Sequence, residues 1–185
     1  MKRIVWTFGL ISGGMLSVMM ATSMFFIDQI GDKAEVLGYT TMVVAFLMVY
    51  FGIRSYRDNV LGGMISFGKA FQAGILITVI ACLCYVGTWE LLYFHGPNDF
   101  GGKFSAKMIE GARKPGATPQ EADAKVAQMK KFVALYQNPF VNSALTFIEP
   151  FPVGLVITLV CAGILKRRTP TARSSASSSV VHSGV

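Results

Sequence analysis

Charge is scarce in this chain: Asp, Glu, Lys and Arg make up 15% of its 185 residues, against about a quarter in soluble domains. That excludes an ordinary hydrated globular surface. Histidine and cysteine are scarcer still, at two and three copies. His182 falls in a polar tail and His95 at the end of an apolar run, so no buried multi-histidine metal site can be built from them. Cys82, Cys84 and Cys161 all lie within apolar runs. Cys82 and Cys84 are two apart, on different faces of a helix, so neither a disulfide framework nor a zinc site is expected, and their role is packing. No nucleophile–base pair, metal cluster or phosphate-cradling glycine loop is recognisable. No cofactor or metal is therefore expected, and an enzymatic role has the least support.

What is abundant is apolar sequence: 52% of residues are hydrophobic. Four runs, about 4–27, 36–53, 70–94 and 144–165, approach or exceed the ~20 residues that cross ~30 Å of hydrocarbon. The expected fold is an all-α membrane protein of four transmembrane helices (residues 1–168). An amphipathic helical hairpin, about 102–138, joins the third span to the fourth. Lys2-Arg3 ahead of the first run and Ala21-Thr22-Ser23 within it also resemble a signal peptide. The run continues through Met24, Phe25, Phe26 and Ile27 past that site, which favours a retained span. A net charge of +7 would suggest nucleic acid in a soluble protein, but the basic residues flank the spans and form no groove. No nucleic-acid partner is expected.

Lys2 and Arg3 precede the first span, Arg54, Arg57 and Lys69 border the second connection, and Lys166, Arg167, Arg168 and Arg173 follow the fourth span. The first connection instead carries Asp28, Asp32 and Glu35 against Lys33. By the positive-inside rule both termini are expected in the cytoplasm, with the acidic connection and the long 95–143 segment outside. That long segment holds seven basic and four acidic residues, but long loops count little in the rule.

Local patterns refine this outline. Gly9 and Gly13 make the small-residue spacing that lets helices approach closely, within the chain or between copies. Met15, Met19, Met20 and Met24 on the same helix are better explained as flexible packing side chains than as a copper site. The second connection reads as an interfacial anchor: Arg54, Tyr56 and Arg57 suit headgroups, Gly62-Gly63 makes a turn, Val60, Leu61, Met64, Ile65 and Phe67 are too apolar for a solvated loop, and Lys69 can snorkel. In the long segment Thr118-Pro119-Gln120-Glu121 has capping-box spacing with Pro at the first helical position. Ala122, Val126, Met129, Val133 and Tyr136 then recur on one face. Phe104, Met108 and Ile109 suggest a shorter helix before the Lys114-Pro115-Gly116 turn. Residues 169–185 form a Ser-rich tail with no apolar period, expected to be disordered.

The candidate site lies near the outer ends of the spans. Glu90 sits about four residues and Glu149 about five below those ends, roughly 6–8 Å deep at 1.5 Å per residue. Tyr39, Thr40, Thr41, Thr22 and Ser23 fall in the same layer. Pro150 and Pro152 lack amide hydrogens, so a kinked or broken fourth span exposing carbonyls is expected. A carboxylate in hydrocarbon is costly, so Glu90 and Glu149 should face water or the bundle interior, where they would share a proton or recruit a cation. The plainer alternative is that each snorkels to the interface.

The stretches EVLGYTTMVVAF, FGIRSYRD followed by GGMISFGKAFQAGILIT, and NPFVNSALTFIEPFPVGLVITLV resemble domain of unknown function family 4199, a group of bacterial four-span membrane proteins. The resemblance runs from Met1 to about Arg168. It implies a bacterial cytoplasmic (inner) membrane location and the four-span architecture, and it supplies no catalytic residue. Two functional readings stay open. One is a noncatalytic accessory or assembly protein, partnered by the lipid bilayer and by another membrane protein or a second copy. The other is a small solute or ion translocator using an outward-facing pocket of Glu90, Glu149, Tyr39, Thr40, Pro150 and Pro152.

The charge pattern makes a direct prediction about topology. Reporter fusions after Asp32 and within residues 110–125 should report an outside location, and fusions after Asp58 and Arg168 an inside one. A cytoplasmic signal from the long segment would overturn the arrangement.

Overall fold

A computed structural model describes residues 1–25, 34–97, 99–112 and 119–166. The acidic connection at Asp28 and Asp32, Thr118 of the capping box, the Lys114-Pro115-Gly116 turn and the Ser-rich tail lie outside the described residues. Those described form helices α1 (Lys2–Phe25), α2 (Ala34–Val60), α3 (Phe67–His95), α4 (Phe100–Gly111), α5 (Pro119–Tyr136), α6 (Pro139–Ile148) and α7 (Pro150–Leu165), with no β-strand among them. Four stretches are long and apolar enough to cross a membrane: Lys2–Thr22, Gly38–Val60, Phe67–His95 and Pro139–Leu165. Helix is the expected answer, because it alone satisfies a single segment's backbone internally where hydrocarbon offers no partner. The protein is an all-α, multi-pass membrane protein.

Side-chain register fixes how the helices run. Gly9 lies against Ile80 and Gly13 against Cys84, while the Thr88 hydroxyl donates to Ser17 Oγ at 2.8 Å; the constant offset makes α1 and α3 parallel. Ser12 Oγ donates to the Ala45 carbonyl at 2.9 Å, and Phe8 lies at Gly52, so α1 and α2 are antiparallel. Gly52 meets Ile77, and Gly74 meets Ile53 and Val49, which makes α2 and α3 antiparallel as well. On α7, Thr158 shares a hydrogen bond with Thr78 at 2.9 Å, and Gly154 seats the Phe46 ring. The start of α1 and the end of α7 therefore share one end of the bundle, and α3 packs against α1, α2, α4, α6 and α7.

Close approach depends on the small residues. A Cβ on Gly13 would fall 2.6 Å from Cys84 Cβ, so the Gly9/Gly13 motif is used within the chain, against α3. Across the middle of the bundle Phe46, Val49, Ile53, Ala73 and Ile77 are fully buried, and their apolar contacts seal it. Cys82 and Cys161 are buried and Cys84 half-buried, all three as free thiols.

At the termini end, Gly62 and Gly63 take φ of 66° and 90°, a left-handed turn that residues with a Cβ disfavour. Ile65 then tucks into the core. Ser66 caps α3, accepting from the Lys69 amide at 3.4 Å, which fixes where that helix starts. At the opposite end Asp99 (φ 54°) caps α4 by accepting from the Gly102 amide. On α5, Val126 and Val133 are buried and Ala122, Met129 and Tyr136 half-buried, while Lys125, Lys130 and Lys131 are exposed. The fourth span is divided at Glu149, where α6 gives way to α7 with the backbone still right-handed (φ −66°, ψ −59°). Pro150 opens α7 and removes an amide donor.

An added methyl discriminates tight from open glycines. At Gly154 a Cβ would stand 2.5 Å from Thr78 Cγ2 and 2.9 Å from the Phe46 ring, whereas nothing lies within 4 Å at Gly163. Gly154→Ala should destabilise the bundle by about 1–3 kcal/mol through overpacking. Gly163→Ala should stay within about 1 kcal/mol of wild type. Unfolding in mild detergent measures both.

Candidate functional site

The two carboxylates expected near the outer span ends both lie along the seam between α3 and the fourth span, on separate rungs. The Tyr85 hydroxyl donates to Glu149 Oε2 at 3.1 Å. The Ser143 hydroxyl donates to Glu90 Oε1 at 2.9 Å. Tyr85 and Glu90 are five residues apart on α3, about 7–8 Å at 1.5 Å per residue, so each carboxylate has its own partner. Glu149 keeps an exposed side, and Glu90 is half-buried.

The other candidates disperse. Tyr39 on α2 is 56% exposed, and the Thr40 hydroxyl turns back to the Val36 carbonyl at 2.7 Å. Among the described residues neither is hydrogen-bonded to a carboxylate. Thr22 and Thr41 likewise donate to their own helices, at Val18 and Gly38, and the Ser23 side chain lies outside the described residues. Pro150 is fully buried and Pro152 exposed, so the two prolines face opposite ways.

In their place stands an aromatic and polar cluster that the reading of the spans passed over. Tyr85, Trp89 and Tyr93 recur every four residues on α3 and form one buried stripe. The Trp89 ring meets Phe104 and Phe100 of α4 edge-on, with centroids 5.1 and 6.1 Å away. Tyr93 shares a hydrogen bond with Ser105 of α4 at 2.9 Å and accepts one from Gln137 at 3.3 Å. Its ring meets that of Tyr136, at the end of α5, at 5.4 Å. The Tyr136 hydroxyl shares a bond with Thr146 at 3.4 Å, Thr146 donates to Asn142 Oδ1, and the Asn142 amide returns to the Tyr136 carbonyl. One stripe of α3 thus fastens α4 directly, and through Tyr136 it ties α5 to α6. The legible signal was the spacing of three aromatics that each carry a polar tip, inside a span that otherwise tolerates few polar atoms.

The cluster holds one uncommitted donor. Trp89 is only 5% exposed, and its indole Nε1–H has no hydrogen-bond partner; the Tyr136 hydroxyl is near enough to feel it without completing a bond. A buried donor left unmet costs about 1–3 kcal/mol, so a water or a ligand hydroxyl would be favourable at this point. Burial is the main influence on Tyr136, pushing its phenol above the ordinary value; Glu149 and Tyr93 add to this, while Thr146 and Trp89 oppose it. Among the described residues no group of three or more His, Cys, Asp or Glu converges as a metal site would require.

The raised phenol gives a pH dependence of known sign. Stability contributed by neutral Tyr136 is complete below its unfolded value of about 10 and is lost as pH rises through the higher folded value. A spectrophotometric titration of wild type minus Tyr136→Phe should show this phenol ionising at the alkaline end of the curve. Ionisation at or below the ordinary value would contradict its burial.

No curated protein and no solved structure matches this chain. The family described as "Protein of unknown function (DUF4199)" matches residues 7–167, and with nearly the whole span of described helices inside that match, the chain belongs to this family.

Proposed function

We propose that this protein is a noncatalytic accessory or assembly protein of the bacterial cytoplasmic membrane, with cytoplasmic termini and its α4–α5 hairpin on the outer face. The observation that carries this reading is apolar surface at the hairpin end. Phe132 and Leu135 of α5 are exposed although the same helix buries Val126 and Val133, and Phe140, where α6 begins, is 87% exposed. A helix that spends one apolar face on its own bundle and presents more apolar side chains outward is suited to a second protein. The partner is another membrane protein or a second copy of this chain.

A small solute or ion translocator is the second reading, favoured by the unmet Trp89 donor beside the Tyr85–Glu149 pair. The sealed middle of the bundle weighs against it, since a route across would require α2, α3 and α7 to separate at Phe46 and Ile77.

Photo-crosslinking from residue 135 or 140 in cells, followed by purification at native expression, should yield one stoichiometric adduct. Leu135→Asp with Phe140→Asp should abolish it while membrane insertion persists. A clean monomer would overturn the accessory reading. Flux in liposomes that falls on Glu149→Gln would establish the alternative.

A further inference from the structure

At the termini end, α1 and α2 border a shallow, open groove of about 410 Å³, a size within the ~300–1,000 Å³ range of small-ligand clefts. Met48, Phe51, Ser55 and Asp58 line it at steps of three, four and three along α2, and Phe8 of α1 forms the facing wall. The groove changes chemistry along its length. Its inner half is Phe8, Met48 and Phe51; beyond Ile53, where the apolar run stops, it is bordered by Arg54, Ser55, Asp58 and Asn59.

The polar half is short of acceptors. Arg57, with a side chain only 11% exposed, holds both Asp58 oxygens, at 2.6 and 3.1 Å. Arg54 stands 3.6 Å from the same carboxylate, with its side chain 55% exposed. Two guanidinium groups therefore share one carboxylate, which leaves one net positive charge and most of the five N–H donors of Arg54 uncommitted. Asn59 Nδ2 donates to Ser55 Oγ at 3.1 Å, which orients that hydroxyl and leaves its hydrogen to donate. The array is cationic and rich in donors, and it is continuous with an apolar slot, the same order of chemistry as a lipid headgroup followed by its acyl chain.

We propose that this groove binds one phospholipid, its phosphodiester held by Arg54 with Ser55 and Asn59 and one acyl chain lying along Phe8, Met48 and Phe51. A phosphodiester is a monoanion with oxygen acceptors, which is what the donor array lacks, and Arg is suited to meeting it with two bonds. The apolar half distinguishes a lipid from free phosphate.

Native mass spectrometry of the full chain in mild detergent tests the site with phosphatidylglycerol, diacylglycerol and inorganic phosphate as probes. Wild type should retain one phosphatidylglycerol, and Arg54→Gln should weaken it about ten-fold, as expected for loss of a charge-assisted bond. Phe51→Asn should weaken it as well, while Lys130→Gln, an equal change in charge on α5 at the opposite end of the bundle, should leave it unchanged. Diacylglycerol should bind poorly, and phosphate should not displace the lipid. Equal retention by Arg54→Gln and Lys130→Gln would overturn the proposal. So would diacylglycerol binding as tightly, displacement by phosphate, or a protein rather than a lipid crosslinking at residue 55.

Discussion

Hydrocarbon supplies no hydrogen-bond partner, and the organisation of this bundle follows from that constraint. A polar side chain placed within a span is costly unless it finds a partner on the same helix or a neighbouring one. Ser12 therefore reaches the Ala45 carbonyl, Thr88 reaches Ser17, and Thr78 and Thr158 bond each other. These bonds join α1 to α2, α1 to α3, and α3 to α7. Each couples two helices at one register, so a few hydroxyl groups set relative heights that apolar contact, being non-directional, would leave loose.

Helix α3 is where the constraint concentrates. Its middle is sealed by small and branched residues, Ala73, Ile77 and Ala81, and Gly9, Gly13, Gly52 and Gly154 on its neighbours let their backbones come near. Toward its C-terminal end the packing surface of α3 becomes amphipathic at the level of single side chains. Tyr85 and Tyr93 bury rings and spend their hydroxyls on Glu149 and on Ser105 of α4, while Trp89 packs on Phe100 and Phe104 of α4 and Tyr93 meets Tyr136 of α5, which is how helices too polar to span are held to the bundle. The Trp89 N–H is the one buried side-chain polar atom without a partner among the described residues, so the cluster is complete as packing and incomplete as hydrogen bonding.

Glu149 shows how chain geometry and chemistry meet. The missing amide of Pro150 divides the fourth span at this residue, and the division coincides with the carboxylate that Tyr85 binds. The break was legible because proline has a fixed backbone consequence. The partner was not, because Tyr85 lies 64 positions away and only the packing of α3 against the fourth span brings it there. The same limit explains Tyr39 and Thr40. Residue count along each span predicts a height only, and by that count they are expected level with the carboxylates. The direction a side chain faces depends on helix rotation, which neighbours decide.

By itself the sequence determined the four apolar spans, the proline break, the Gly62-Gly63 turn and the inward face of α5, because each follows from local chemistry: hydropathy, a missing donor, a missing Cβ, a helical period. Tertiary structure alone decided that Gly9 and Gly13 serve packing within the chain, that Glu90 and Glu149 take Ser143 and Tyr85 as separate partners, and that an aromatic stripe of α3 anchors α4 and, through Tyr136, α5. Those outcomes turn on rotation and register between helices distant in sequence. In a bundle where most residues are apolar, many rotations bury similar area, and a small number of hydrogen bonds and close glycine contacts choose among them.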